Sequence, residues 1–212
     1  MKTENVKTLA DAALAGDVQC TRALLDAGAD VHDQNDLALC YAANRGHVEV
    51  LKLLIDHGAD VHAGHDEPIQ EAAASGQIEC VKALRDRGVA ICANDDVALV
   101  AAVASNQVAM VQFLLQNGAR VHARCEEAMR TAAKRGYTSM VEVLIQNGAD
   151  WHAQGDEPLI RAARNGFTEI VKLLLKAGEQ LRISRDEAWR EAVSNGHTDV
   201  ARMLIDYDAG RS

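Results

Sequence analysis

A thirty-residue unit recurs along the chain, and this repetition constrains the fold more than any other feature of the sequence. Written from Asp36, the unit reads DLALCYAANRGHVEVLKLLIDHGADVHAGH over residues 36–65. The other copies span 6–35 (degenerate), 66–95, 96–125, 126–155, 156–185 and 186–212 (truncated). Self-similarity at a fixed period predicts a stack of similar units, each of which buries an apolar face against its neighbours.

Each unit has the pattern of two short helices. Leu39, Ala42 and Ala43 fall at i, i+3 and i+4, which places them on one helical face. A second helix is predicted over about 48–57, with an apolar stripe that includes Leu51. Aromatic residues make up only 3% of the chain, so the predicted core is one of small and aliphatic side chains.

Both ends of the first helix carry recognisable signals. Gly46 is predicted to end it in the left-handed conformation, and Asn106 takes the place of this glycine in one copy. Gly58 is predicted to stop the second helix. An acidic residue opens most copies and is predicted to cap the first helix. These residues are Asp36, Asp66, Asp96, Glu126, Asp156 and Asp186.

The stretch AANRGHVEVLKLLIDHGADVHA resembles the ankyrin repeat, whose consensus runs T-P-L-H-x-A-A, G-H-x-E-V-V and G-A-D-V-N-A. The first motif survives in part as Pro68-Ile69 and Pro158-Leu159, and the resemblance covers about residues 6–207. It implies an all-α ankyrin-repeat solenoid of about seven helix–turn–helix units, forming a single domain over residues 1–212.

The period departs from that of the family. Ankyrin repeats are about 33 residues long, whereas these are 30. The missing residues belong to the projecting β-hairpin finger, so short loops are expected there and partner binding is expected to shift to the helix faces. Compact repeats with "VHA" resemble ankyrin arrays of large DNA viruses and other host-associated agents. That resemblance implies a host protein as partner.

Charge and composition exclude several classes of function. The net charge of −9 is uneven: residues 1–106 hold 8 basic and 17 acidic residues, and residues 107–212 hold 14 of each. This argues against nucleic-acid binding, which needs a strongly basic surface. It leaves open whether the acidic half is merely solvated or steers a partner.

The remaining composition points to an intracellular protein. No apolar stretch approaches the length of a membrane span, so no membrane association is expected. The five cysteines do not form a disulfide framework and suit a reducing compartment. We expect a cytoplasmic protein that is monomeric by itself.

No catalytic or metal-binding pattern is present. Phosphate-loop, zinc-protease and nucleophile-elbow motifs are all absent from the sequence. His32, His62, His122 and His152 recur at one repeat position, but successive repeats lie about 10 Å apart, too far to share a zinc ion with bonds of about 2 Å. They are expected to hydrogen-bond the loop backbone. No cofactor and no metal are predicted.

Partner contacts are therefore expected on the first helices, where the family varies around its "AA" motif. The principal prediction is a basic and aromatic surface in the fifth and sixth copies, which could hold a partner with an acidic surface. An alternative is that Tyr137 and Phe167 pack on neighbouring turns while the cations stay solvated. The predicted partner-binding residues are Tyr41, Asn44, Arg45, Glu71, Thr131, Lys134, Arg135, Tyr137, Arg161, Arg164, Asn165 and Phe167.

Two tryptophans receive separate interpretations. Trp189 occupies the core position of Leu39 and is predicted to fill the last inter-helix layer. Trp151 replaces Val61 in a loop, and two roles remain open for it: a cover over the next helix start or an exposed anchor.

The predicted function is a non-enzymatic protein-interaction module, either an adaptor or an inhibitor that occludes its partner. The alternatives are a small-ligand receptor or enzyme with a site in the groove, and an engineered binding scaffold.

Overall fold

The computed structural model describes residues 7–178 and 182–209, and the chain forms two compact units, Met1–Ala119 and Arg120–Ser212. The described residues form fourteen α-helices and no β-strand. This confirms the all-helical class and the seven helix pairs that the repeat predicts. The prediction of a single domain stays a prediction.

Unit 1 contains the first four helix pairs, in which odd-numbered helices are the first of each repeat. Its helices are α1 (Leu9–Ala15), α2 (Val18–Asp26), α3 (Asp33–Arg45), α4 (Val48–Asp56), α5 (Ala63–Ala74), α6 (Ile78–Asp86), α7 (Ala93–Ala104) and α8 (Val108–Gln116). The first helices α1, α3, α5 and α7 pack side by side in one layer, and α2, α4 and α6 pack in a second layer.

Unit 2 repeats this arrangement with three helix pairs. Its helices are α9 (Ala123–Arg135), α10 (Thr138–Gln146), α11 (Ala153–Arg164), α12 (Thr168–Ala177), α13 (Arg182–Ser194) and α14 (Thr198–Ala209). The first helices α9, α11 and α13 form one layer, and α10, α12 and α14 form the other.

Small side chains in the first helices let neighbouring helices approach closely. Ala42 and Ala43 of α3 are fully buried, and Leu39 fills the space between the two layers. Leu51 and Leu54 of α4 are buried on the facing side. Because each repeat supplies the same set, the core of each unit is a row of equivalent layers.

The glycine that ends a first helix is left-handed, as predicted. Gly46 has φ 77°, and the N–H of His47 donates to the carbonyl oxygen of Ala42 at 2.9 Å, which is a Schellman-type closure. Asn106 adopts φ 57° at the equivalent position. Gly178 differs from the other second-helix glycines, because its φ of −117° is extended.

The predicted capping role is wrong for the five acidic residues that have a positive φ, which are Asp36, Asp66, Asp96, Glu126 and Asp156. Asp36 has φ 59° and ends a run of left-handed residues that starts at Gln34, and α3 has regular geometry only after it. The Asp36 side chain is buried, and its Oδ1 accepts a hydrogen bond at 3.0 Å from the backbone N–H of Asp60, in the loop after α4. The carboxylate therefore connects the two ends of one repeat instead of closing its own helix.

The predicted partners of the repeated histidines are also wrong. Nδ1 of His62 lies 2.6 Å from Oδ1 of Asp66, and Nδ1 of His152 lies 2.5 Å from Oδ1 of Asp156. His32 with Asp36 and His122 with Glu126 repeat this arrangement. A left-handed turn between the two residues brings each imidazole onto the carboxylate four positions later, so the partner is a side chain and not the loop backbone.

Candidate partner-binding surfaces

A concave surface in unit 1 brings together all four residues predicted there. Tyr41, Asn44, Arg45 and Glu71 line one pocket of about 200 Å³ between the first helices. The same pocket is lined by Leu14, Leu37, Cys40 and Glu67, which the sequence analysis did not include among the site residues. We call these eight residues the N-terminal groove.

Helical spacing would have identified some of the groove residues that were not predicted. Leu37 precedes Tyr41 by four residues on α3, and Glu67 precedes Glu71 by four residues on α5. Residues at i and i+4 share a helix face, so each predicted residue has a neighbour one turn earlier on the same face. Leu14 comes from α1, and only the packing of α1 against α3 brings it to the groove.

A hydrogen-bond pair holds the polar side of the groove. Nδ2 of Asn44 donates to Oε2 of Glu71 at 2.7 Å and lies 2.9 Å from Oγ of Ser75. These contacts connect α3 to α5. They hold the Glu71 carboxylate in place at the groove wall.

The thiol in the groove is not suited to nucleophilic chemistry. Burial, together with the negative charges of Glu67, Glu71 and Asp36, raises the pKa of Cys40 to about 12. The same cause, burial, raises the pKa of Cys80 to about 11. Both thiols are therefore protonated near neutral pH, and only thiolates are good nucleophiles.

The basic residues predicted in unit 2 are largely engaged in ion pairs. Nη2 of Arg161 lies 2.5 Å from Oε1 of Glu157, and Arg130 reaches the other oxygen of Glu157 at 3.3 Å. Arg164 binds Glu191 through two nitrogens, at 2.7 and 3.1 Å. Sequence reasoning missed Glu191 because it lies 27 residues from Arg164. Glu157 is four residues before Arg161, a helical spacing that could have identified this pair.

The pKa values of the carboxylates reflect these pairs. Hydrogen bonds from Arg161, and then the charges of Arg161 and Arg130, lower the pKa of Glu157. Hydrogen bonds from Arg164 lower the pKa of Glu191. The two arginines consequently present less positive charge than the sequence predicts. Lys134 is exposed and has no ion pair within the described part of unit 2.

Three further polar residues of unit 2 were predicted as partner contacts: Thr131, Arg135 and Asn165. Arg135 is exposed at the end of α9, and Thr131 is half-buried one turn earlier. Asn165 is exposed, and its Nδ2 donates to the carbonyl oxygen of Arg161 at 2.8 Å. That amide is thus used to close the end of α11.

Phe167 has a packing role as well as a partly exposed ring. A Cβ added to Gly136 would lie 2.8 Å from Cε1 of Phe167, so the ring covers the glycine of the preceding turn. Within unit 1, His47 covers Gly16 in the same way. Tyr137 is also half-buried at the corresponding turn. Binding by these two aromatic residues remains a prediction.

The structure shows how far each of the two tryptophans is buried. Trp151 is only 4% exposed, stacks on His152 with ring centroids 3.7 Å apart, and lies against Gly178. It is therefore not an exposed anchor, and the residue it covers is Gly178 at the end of α12. Trp189 is 38% exposed, so its predicted core role is wrong. Met129, at the equivalent position of α9, is fully buried, and a further first helix, α11, follows α9 in that unit. Among the described residues, no first helix follows α13.

Two further features bear on the kind of site. Across the described residues, no group of three or more His, Cys, Asp or Glu side chains is arranged to hold a metal ion. None of the helices in residues 7–178 and 182–209 combines the length and the apolar character needed to cross a membrane.

Two layers of repeated helix pairs with variable polar residues on the first helices define a repeat protein of the ankyrin type. A family model of ankyrin repeats, containing three copies, matches residues 9–95, 63–125 and 129–211. The chain therefore belongs to the ankyrin repeat family, whose domains are generally protein–protein interaction modules.

Solved structures support the fold. The human ASB11 ankyrin repeat domain is similar, with a TM-score of 0.76, 24% identity, and coverage of 94% of this chain and 96% of that chain. The ankyrin repeat domain of Bcl-3, described as a unique member of the IkappaB protein family, has a TM-score of 0.65 and 24% identity, with coverage of 81% of this chain and 86% of that one. No curated protein sequence matches the chain significantly.

Proposed function

We propose that this chain is a non-enzymatic interaction module that binds a partner protein through its first helices, acting as an adaptor or as an inhibitor that covers the partner's surface. The observation that carries the proposal is the convergence of Tyr41, Asn44, Arg45 and Glu71 on one concavity of unit 1. Partly exposed aromatic and arginine side chains are common energetic anchors at protein interfaces. The protonated thiols of Cys40 and Cys80 count against a cysteine enzyme.

A second candidate surface lies in unit 2 around Lys134 and Arg135. Both residues are exposed in the last turn of α9. An acidic partner there would meet less charge than the sequence predicts, since Arg161 and Arg164 already bind Glu157 and Glu191. A host protein as partner and a cytoplasmic site of action remain predictions.

Affinity capture with matched variants tests the proposal. The full chain would be immobilised as wild type, as Tyr41→Ala and as Lys134→Glu/Arg135→Glu. The controls Lys52→Glu and Arg202→Glu make the same kind of charge change at exposed positions of second helices α4 and α14. Circular dichroism would establish that each variant is folded.

We expect a protein that the wild type and both controls retain and that Tyr41→Ala loses. Loss with Lys134→Glu/Arg135→Glu alone would move the site to unit 2. Retention of the same proteins by every variant would contradict binding through the first helices. Once a partner is identified, competition between this chain and the partner's own ligand would distinguish an occluding inhibitor from an adaptor.

A further inference from the structure

The N-terminal groove combines an apolar wall with a negatively charged one. Leu14 is among the exposed large hydrophobic residues, and Leu37 and Tyr41 are half-buried beside it. Glu67 and Glu71 form the facing wall on α5. An aliphatic stem can therefore lie on one wall while a charged group at its end reaches the other.

The two carboxylates are close enough to repel each other. Like charges at i and i+4 of a helix are neighbours and are unfavourable. Glu67 is exposed and makes neither a hydrogen bond nor an ion pair with any described residue of unit 1, and Glu71 accepts from the neutral amide of Asn44. Arg45 lines the same groove but forms no ion pair with either carboxylate among the residues described there.

The charge of the whole unit has the same sign as this wall. Residues 1–119 hold 8 basic and 17 acidic residues, a net charge of −9, whereas residues 120–212 hold 14 of each. A concave surface with one sign of charge concentrates partners of the opposite sign and speeds their association. The groove is thus complementary to a cation both at its wall and at longer range.

We propose that the N-terminal groove binds a protein segment that presents an arginine or lysine side chain flanked by aliphatic residues. The cation lies between Glu67 and Glu71, and its methylene stem packs on Leu37 and the ring of Tyr41, since long basic side chains bury their stems on apolar surfaces. Arginine is favoured over lysine, because its planar guanidinium can bind a carboxylate through two nitrogens and stack on an aromatic ring. This inference rests on the proposed function and names the chemistry of the partner.

Peptide binding tests the inference without the natural partner. Fluorescein-labelled GGLRLGG would be titrated with the full chain in low salt, and binding would be followed by fluorescence anisotropy. The peptides GGLQLGG and GGLELGG keep the flanking leucines and replace the cation with a neutral or an acidic side chain. We expect GGLRLGG to bind at least about tenfold more tightly than GGLELGG, and its affinity to fall as salt screens the charges.

Isosteric variants then place the binding at the two carboxylates. Glu67→Gln/Glu71→Gln keeps an acceptor for Asn44, and we expect it to weaken GGLRLGG binding by about fivefold or more. The control Asp26→Asn/Glu49→Gln removes the same charge from exposed positions of α2 and α4 and should leave the affinity within about twofold of wild type. If the double variant were poorly folded by circular dichroism, Glu67→Gln alone would serve, because the Glu67 side chain forms no hydrogen bond or ion pair with the described residues of unit 1.

Three outcomes would overturn the inference: equal affinity for the three peptides, preference for GGLELGG, or equal weakening by both double variants. Failure of the inference is distinguishable from failure of the proposed function. A partner that is captured by wild type and lost by Tyr41→Ala would uphold the groove as a binding surface, and the peptide result would then show that the partner is not recognised through a cation.

Discussion

Nδ1 of His62 lies 2.6 Å from Oδ1 of Asp66, and the carboxylate of Asp66 is buried while the imidazole is half-exposed. The other oxygen of Asp66 accepts from Nδ2 of Asn94, at the start of α7, at 2.5 Å. One side chain therefore closes its own left-handed turn and connects α5 to α7. The shortened loops of unit 1 depend on such contacts where the longer finger of the family is missing.

Replacing Asp66 by alanine should destabilise unit 1. The change removes both hydrogen bonds and leaves a residue with a Cβ at φ 68°, a conformation that aspartate and asparagine tolerate better than alanine. We expect a loss of about 2 kcal/mol in the free energy of unfolding, measured by urea denaturation of the full chain. Glu49→Ala, at an exposed position of α4, is the control. Equal midpoints for the two variants would contradict the connecting role of Asp66.

The ion pairs of Glu157 predict a defined pH dependence. Because Arg161 and Arg130 lower the pKa of Glu157 in the folded state from the ordinary value of 4.5, the carboxylate adds stability above that value and loses it as the pH falls through the folded-state pKa. Glu157→Gln should therefore be less stable than wild type near pH 7 by about 0.5–1 kcal/mol. The difference should shrink below pH 4.5. Urea denaturation at several pH values measures it, and a constant difference down to pH 3 would contradict this origin.

Adding one methyl group at Gly178 should disturb the buried tryptophan. The Cβ of Gly178→Ala would collide with the Trp151 ring, while the extended backbone at this glycine causes no strain by itself. We expect a loss of about 1–3 kcal/mol, the usual cost of overpacking. In a Trp189→Phe background, the emission of Trp151 should also shift.

Gly148→Ala is the matched control for this prediction. It adds the same methyl group in open space at φ 83°. It should cost about 1 kcal/mol through backbone strain and leave Trp151 emission unchanged. A shift of Trp151 emission in the control alone would contradict the packing of Trp151 on Gly178.

The two tryptophans should differ in access to solvent. Trp189 is 38% exposed and Trp151 is 4% exposed, so acrylamide should quench the wild type several-fold more strongly than Trp189→Phe. Phenylalanine at an exposed position should change the stability little, which keeps the comparison within folded protein. Equal quenching of the two proteins would mean that Trp189 is covered in solution.

The cysteines should differ in their reactivity toward an alkylating reagent. Cys92 is exposed, whereas burial raises the pKa of Cys40 to about 12 and that of Cys80 to about 11. With iodoacetamide at pH 8, we expect peptide mapping by mass spectrometry to find Cys92 modified in the folded chain, and Cys40 and Cys80 modified only in urea. Fast labelling of Cys40 without denaturant would show that the thiol is accessible from the N-terminal groove.

The period and the glycines of the sequence suffice to predict most of the secondary structure. Gly46 and Asn106 mark real helix ends, because a left-handed residue after a helix is a local requirement that few residues meet. Tyr41, Asn44, Arg45 and Glu71 were predicted on one surface, because repeat position fixes which side of a first helix each residue occupies.

Contacts between residues far apart in the chain were less predictable. The partner of Asp36 is the backbone of Asp60, and the partner of Arg164 is Glu191, each more than twenty residues away. Several acidic residues at comparable repeat positions could have filled either role. Side-chain reach and rotamer selected among them, and a repeat pattern does not encode these choices.

The sequence by itself determined the family, the helix pairs and the left-handed helix ends, since each follows from local conformational preference repeated at a fixed interval. Only the tertiary structure decided that the repeated carboxylates bind histidines, that Trp151 is buried against Gly178, and that Trp189 is exposed. These outcomes depend on which surface covers a side chain. A repeat assigns the same environment to every copy, whereas the environment in the folded chain changes with the side chains that surround each copy.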